Sequence, residues 1–161
     1  MGVGNTCLAL FMASFTFGAN RAQDHLTTAA YGKGDLRLCG IYLNRGRAIQ
    51  VTFFIPLCLV FVLISKELVK VITDDEAIVE YTVYFMINML PAYLFIGLAD
   101  LQKKWLLRMR IVHVPMYSNI ITAVIHIPIV YVFTFVFEWD LFGICAANWV
   151  SWFIVLALMI A

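Results

Sequence analysis

Charge is scarce in this 161-residue sequence: Asp, Glu, Lys and Arg make up 13% of it and the formal net charge is +1. No basic stripe stands free to hold a nucleic acid, so that class of partner is excluded. Cysteine is sparse and scattered. Cys7, Cys39, Cys58 and Cys145 form no CxxC pair and have no histidine at ligand spacing, so neither a metal site nor a disulfide framework is expected. A P-loop, a dinucleotide fingerprint and a hydrolytic triad are missing as well. Gly2-Val3-Gly4 and Gly32-Lys33-Gly34 are too short to cradle phosphates, and no cluster of His, Asp and Glu has ligand spacing. The expectation is therefore a protein without cofactors and without enzymatic chemistry. A cleavable leader would need a basic n-region and a small-residue cleavage site. Here Met1-Gly2-Val3-Gly4-Asn5 runs straight into a long apolar helix, which is expected to be retained. The far end, Leu141–Ala161, stops without a polar flank, and both ends are expected to be cuts through a longer protein.

What the sequence has in abundance is apolar residues, 63% of the chain, with a mean hydropathy of +0.92. That is well above a soluble domain. Five stretches are long enough to cross a bilayer: Met1–Tyr31, Arg47–Ser65, Ala77–Asp100, Val114–Phe137 and Leu141–Ala161. Each crossing needs about 20 apolar residues as helix, and the five leave no room for a separate soluble domain. The connections alternate in sign. Lys33, Arg37, Arg45 and Arg47 precede the second stretch, and Lys103, Lys104, Arg108 and Arg110 follow the third. The other two connections carry Glu67, Asp74, Asp75 and Glu76, beside Lys66 and Lys70, and then Glu138 and Asp140. Eight of the eleven basic residues thus fall on one side, which the positive-inside rule assigns to the cytoplasm. The fold class expected is an all-α, multi-pass integral membrane protein, with helices at about 1–31, 36–65, 77–102, 114–137 and 141–161.

Local chemistry refines this outline. Gly32-Lys33-Gly34-Asp35 is a turn, and Asp35 is placed to cap the helix that follows. Pro56, Pro91 and Pro128 lie well inside apolar stretches, where each removes a backbone donor and serves either packing curvature or a hinge. Gln102–His113 reads as a basic amphipathic connector lying in the headgroup layer, with Trp105, Leu106 and Met109 on one side and Lys104, Arg108 and Arg110 on the other. Gly143, Ala146 and Ala147 suit close helix–helix approach. Phe133, Phe135, Phe137, Trp139, Trp149 and Trp152 are expected in interfacial or lipid-facing belts.

Polar residues inside apolar helices are the natural candidates for an ion or substrate pathway. Asp24 is one, with Arg21 three residues earlier on the same face as an alternative structural partner. Tyr84 and Asn88 share a helix face and either line a polar cavity or act as interhelical hydrogen-bond glue. Asp100 precedes Lys103 and Lys104 by three and four residues, which points to an interfacial ion pair. His126 stands just before Ile127-Pro128; histidine as a residue type changes charge near neutrality, or here bonds a neighbouring carbonyl.

Several segments in order resemble one family. Asp24-His25-Leu26-Thr27-Thr28-Ala29-Ala30-Tyr31-Gly32 is similar to the L-D-T-L-x-x-Q-A-[FY]-G-A stretch of multidrug and toxic compound extrusion (MATE) transporters. Leu38–Ala48 resembles the family's basic lead-in to helix three, Leu90-Pro91-Ala92 its I-P-A, and Trp105-Leu106 through Pro115 its F-L-Q-x-Q-x…P connector. His126-Ile127-Pro128 and Phe142–Ala147 resemble H-[IV]-P-L-N-Y and G-x-x-G-A-A-x-A. The sequence departs from these patterns at His25, Ala29, Leu107, Met109 and Val130. The resemblance implies that the five helices correspond to helices two to six of a twelve-helix antiporter, most of one six-helix lobe. It implies export of organic cations or other xenobiotics in exchange for protons or sodium, but places no family coupling residue on this sequence, so Asp24, Tyr84, Asn88 and His126 are pathway candidates by position alone. Helix one, which carries an acidic coupling residue in many members, and the second lobe would be supplied by further chain or a partner. Such a chain alone is expected not to transport. The alternatives are a lipid-linked oligosaccharide flippase, disfavoured by the lack of several intramembrane cations beside Arg21, and a non-transporting scaffold or subunit.

Overall fold

The computed structural model describes residues 2–73 and 75–160; Met1, Asp74 of the acidic run and Ala161 lie outside the described residues. Helix α1 is a continuous column of Gly2–Leu8, a π-helical segment Ala9–Ala13, and Ser14–Gly32. It is followed by α2 (Leu36–Lys70), α3 (Glu76–Arg108), α4 (His113–Tyr131, continued by a π-helical segment Val132–Val136) and α5 (Asp140–Ile160). No strand occurs among the described residues. The chain is an all-α, multi-pass integral membrane protein: α2, α3, α4 with its π-helical continuation, and α5 are each long and apolar enough to cross a bilayer. Helix α1 is not among those four. Its Ser14–Gly32 piece carries Asn20, Arg21, Gln23, Asp24 and His25, of which Asn20 and Gln23 are buried.

The helix ends follow from local sequence. Gly34 takes a left-handed backbone (φ 76°) that a side chain would strain, and Asp35 Oδ1 accepts from the Leu38 N–H at 2.9 Å. Asp75 caps α3 in the same way through the N–H groups of Ala77 and Ile78. The expected Gln102–His113 connector is a correction. Residues through Arg108 continue α3, leaving only Met109–Val112 as a link, and Leu106 is buried in the core. The reason is tertiary. Gln102, Trp105 and Arg108 each find partners on other helices, which holds the last turns of α3 against the bundle.

Helix α3 is the centre of the assembly and packs on α1, α2 and α5, while α4 leans chiefly on α5. Half of the most apolar window of α3 is buried, against 6% for α4. One apolar core joins Leu8 and Met12 of α1, Phe61 of α2 and Met86 of α3. A smaller one joins Ala99 and Leu106 to Val155 and Met159 near the basic face. Lipid tails are as apolar as these side chains, so close packing and interhelical hydrogen bonds must supply most of the association. Gly143 illustrates the close approach: a Cβ there would meet the Phe133 carbonyl oxygen at 2.7 Å. Around that crossing Phe133, Phe137, Trp139, Phe142 and Trp149 pack ring on ring, with Phe137 and Trp139 at the exposed edge of the cluster and Phe135 exposed outside it.

Candidate functional site

A groove of about 280 Å³, mostly apolar in surface but lined by several polar side chains, runs between α4 and α5. Asn119, Thr122, Ala123 and His126 recur at three- to four-residue spacing along one face of α4; Asn148, Ser151, Trp152 and Val155 do so on α5. His126 Nδ1 lies 2.7 Å from Ser151 Oγ, near the midpoints of both helices. The partner is thus a hydroxyl on the neighbouring helix and not a backbone carbonyl, with the donor set by the imidazole tautomer. Thr122 Oγ1 is buried without a hydrogen-bond partner, and Asn148 donates to the Ile144 carbonyl at 3.0 Å, which leaves its own amide oxygen as an acceptor. Oxygen acceptors and an imidazole around one space suit a cation or a hydrogen-bond donor.

The four residues singled out in the sequence do not converge. His126 lines this groove. Tyr84 and Asn88 do share a face of α3, but Asn88 Nδ2 donates to the Tyr84 carbonyl at 2.8 Å within the same helix, and Tyr84 is half exposed. The Asn88 carbonyl accepts from Trp149 Nε1 at 2.7 Å, so the backbone of this pair serves as a tie between α3 and α5. Asp24 is a correction as regards its partner. Arg108 Nε and Nη2 donate to its two oxygens at 2.6 Å each, a bidentate pair across α1 and α3, while Arg21 points away to an exposed position. The Asp100 ion pair is as the spacing indicates, with Lys104 Nζ at 2.7 Å.

Sequence reasoning passed over a second polar feature. Thr16, Asn20, Gln23 and Thr27 are all buried and lie on one face of α1, at intervals of three and four residues. Asn20 Nδ2 donates to the Gly97 carbonyl at 3.1 Å and to Asp100 Oδ2 at 2.9 Å. Gln50 of α2 is seated against Gly97, where a Cβ would overlap the Gln50 amide and the Thr16 methyl. Gln23 lies against Gly46 in the same manner. Nearer the basic face, Gln102 accepts from Arg47 Nη2 at 2.6 Å and donates to the Met159 carbonyl at 3.1 Å, while Trp105 Nε1 donates to the Cys39 carbonyl at 3.1 Å. This polar seam fastens α1, α2, α3 and α5. The regular spacing of Thr16, Asn20, Gln23 and Thr27 was its only signal in the sequence.

Among the described residues no group of three or more His, Cys, Asp or Glu could hold a metal ion. Comparison with known proteins adds the family. A family model described as MatE matches residues 1–132. Protein DETOXIFICATION 36 of Arabidopsis thaliana is 26% identical over 153 residues, covering 95% of this chain and 30% of its own length. Multidrug and toxin extrusion protein 1 is 26% identical over 142 residues in Xenopus tropicalis (88% of this chain, 25% of that protein). The Oryctolagus cuniculus protein of the same name is 27% identical over 140 residues (87% and 24%). The chain therefore spans about a quarter to a third of the length of these curated relatives.

Proposed function

The chain belongs to the MatE family, and from that premise we propose that it supplies part of one lobe of a membrane antiporter. The antiporter exports organic cations or related xenobiotics in exchange for protons or sodium, by alternating access. Two observations outside the comparisons support the reading: the basic and acidic faces alternate along a multi-pass chain, and several polar residues line one groove between two apolar helices. The relatives' names speak of detoxification and of multidrug and toxin extrusion. Alternating access requires two lobes moving about a central site, so the complete unit includes helices beyond these five.

The observation that carries the site assignment is the α4–α5 groove with the His126–Ser151 contact at its centre. Helix α4 buries almost nothing of its apolar window, so this groove stays open on the side away from the bundle. A cation there is held by the amide and hydroxyl oxygens. Asp24 is engaged by Arg108 at the basic end and fits a tie between α1 and α3 better than a coupling acid.

Binding of tetraphenylphosphonium to the chain in lipid nanodiscs, read by tryptophan fluorescence, tests the site. Saturable quenching is expected, weakened about five-fold by Ser151→Leu, the loss of roughly 1 kcal/mol of polar contact. Binding that ignores the Ser151 substitution would contradict the assignment.

A further inference from the structure

A second groove, of about 470 Å³, opens on the bundle surface between α2, α3 and α5 and is lined by Arg47, Ala48, Val51, Thr52, Leu98, Leu156 and Ile160. Its walls are apolar and it carries one charge. Val51 and Ile160 are exposed, as lipid-facing residues of a membrane helix are. Arg47 sits at the end of the groove nearest the basic face and is partly buried. Of its five N–H donors, Nη2 is used on the Gln102 amide oxygen at 2.6 Å and Nη1 reaches Asn44 Oδ1 at 3.5 Å. Both partners are neutral. The two other cations held against the bundle on that face have carboxylates: Lys104 has Asp100 and Arg108 has Asp24. Arg47 has none among the described residues.

Position along the helix fixes the depth. From Arg47 to Lys66 at the other end of the apolar run is about 28 Å at 1.5 Å per residue, close to the thickness of the hydrocarbon core. Helix α5 is about 31 Å long by the same rise and ends at Ile160 beside Arg47. The guanidinium thus stands at headgroup level, and the apolar walls formed by Val51, Leu98 and Leu156 run from it into the acyl-chain region.

We propose that this groove is a binding site for an anionic phospholipid of the leaflet on the basic face, with the phosphate on Arg47 and an acyl chain along Val51, Leu98 and Leu156. The guanidinium fork matches a phosphate oxygen pair, and a half-buried cation with only amide partners gains most from a neighbouring anion. Gln102 positions the guanidinium through its bond to Nη2 and is itself fixed by the Met159 carbonyl, so the site is pre-formed by α3 and α5. The surrounding Lys33, Arg37 and Arg45 enrich anionic lipid near that face without entering the groove. The assignment is independent of what the protein transports.

Native mass spectrometry of the delipidated chain, titrated with dioleoyl phosphatidylglycerol or dioleoyl phosphatidylcholine, tests it. The first phosphatidylglycerol is expected to bind about five-fold more tightly, the ratio that one basic residue near the surface supplies. Arg47→Gln should bring the two lipids level, while Arg37→Gln, at an exposed position outside the groove, should leave the preference intact. Thr52→Trp fills the groove from a lipid-facing position and should remove the tight equivalent even if Arg47→Gln fails to fold. Equal affinity in the wild type, or a preference that survives both groove substitutions, overturns the proposal. So does displacement of phosphatidylglycerol by millimolar inorganic phosphate, which would make the ligand a soluble anion.

Discussion

Replacing Gly97 by alanine tests the polar seam at its tightest point. The new methyl would occupy space now held by the Gln50 amide and the Thr16 methyl, in the middle of the contact between α1, α2 and α3. Either Gln50 withdraws or α1 shifts outward. A shift outward lengthens the bonds from Asn20 to the Gly97 carbonyl and to Asp100. Overpacking of this kind costs about 1–3 kcal/mol. Weakening one interhelical hydrogen bond in a bilayer adds about 0.6 kcal/mol. The expected loss is therefore about 2 kcal/mol, measured as a displaced unfolding midpoint when far-UV circular dichroism follows titration with a denaturing detergent. Gln50→Ala should restore part of it. The Gln50 amide atoms have no hydrogen-bond partner in the structure, so removing them sacrifices no bond and opens room for the methyl. The double variant should be less destabilised than the sum of the single ones by about 1 kcal/mol. A neutral Gly97→Ala, or strictly additive effects, would refute the close approach on which the seam depends.

Two other substitutions probe the ends of the helices. Arg108→Ala and Asp24→Asn should each destabilise by about 0.5–1 kcal/mol because the pair is bidentate but partly solvated, with most of that energy appearing as coupling in the double variant. The same cycle on Arg21 and Asp24 should show no coupling, and equal coupling for Arg21 would restore the local pair. Asp35→Ala should cost about 1 kcal/mol through loss of the cap on the Leu38 N–H, whereas Asp35→Asn should keep most of it; equal losses would assign the effect to charge.

Much of the architecture was legible because bilayer crossing imposes long apolar runs and sided charge. Four of the five expected crossings, the turn at Gly32–Asp35, the cap at Asp35, the Asp100–Lys104 pair and the close approach at Gly143 could be read from spacing or residue type; the first stretch is helical but is not among the four helices long and apolar enough to cross. The family could be read too, from ordered short motifs, and the MatE match bears it out. What escaped was tertiary. Arg21 lies nearest to Asp24 in sequence, yet Asn20 and its bonds to α3 turn the Asp24 face toward the end of that helix, where Arg108 arrives. The connector looked amphipathic because its apolar residues cover the core and its basic ones leave it, a pattern common to a surface helix and to the last turns of a packed one. The groove was half visible: His126 stood out by its chemistry, but Asn119, Asn148 and Ser151 gained meaning only once α4 and α5 were side by side. Gln50 and Arg47 likewise owe their roles to neighbours on α3.

We propose that these helices form part of an ion-coupled exporter that needs its remaining helices to work. The most direct test is a chimera in which this chain replaces the matching segment of the Xenopus tropicalis relative, reconstituted in proteoliposomes beside residues 1–161 alone. Efflux of a cationic dye is measured under an imposed proton or sodium gradient. The account predicts gradient-driven efflux by the chimera and none by residues 1–161 alone. Gradient-driven efflux by the short chain, or a correctly inserted chimera that moves no dye, would contradict it.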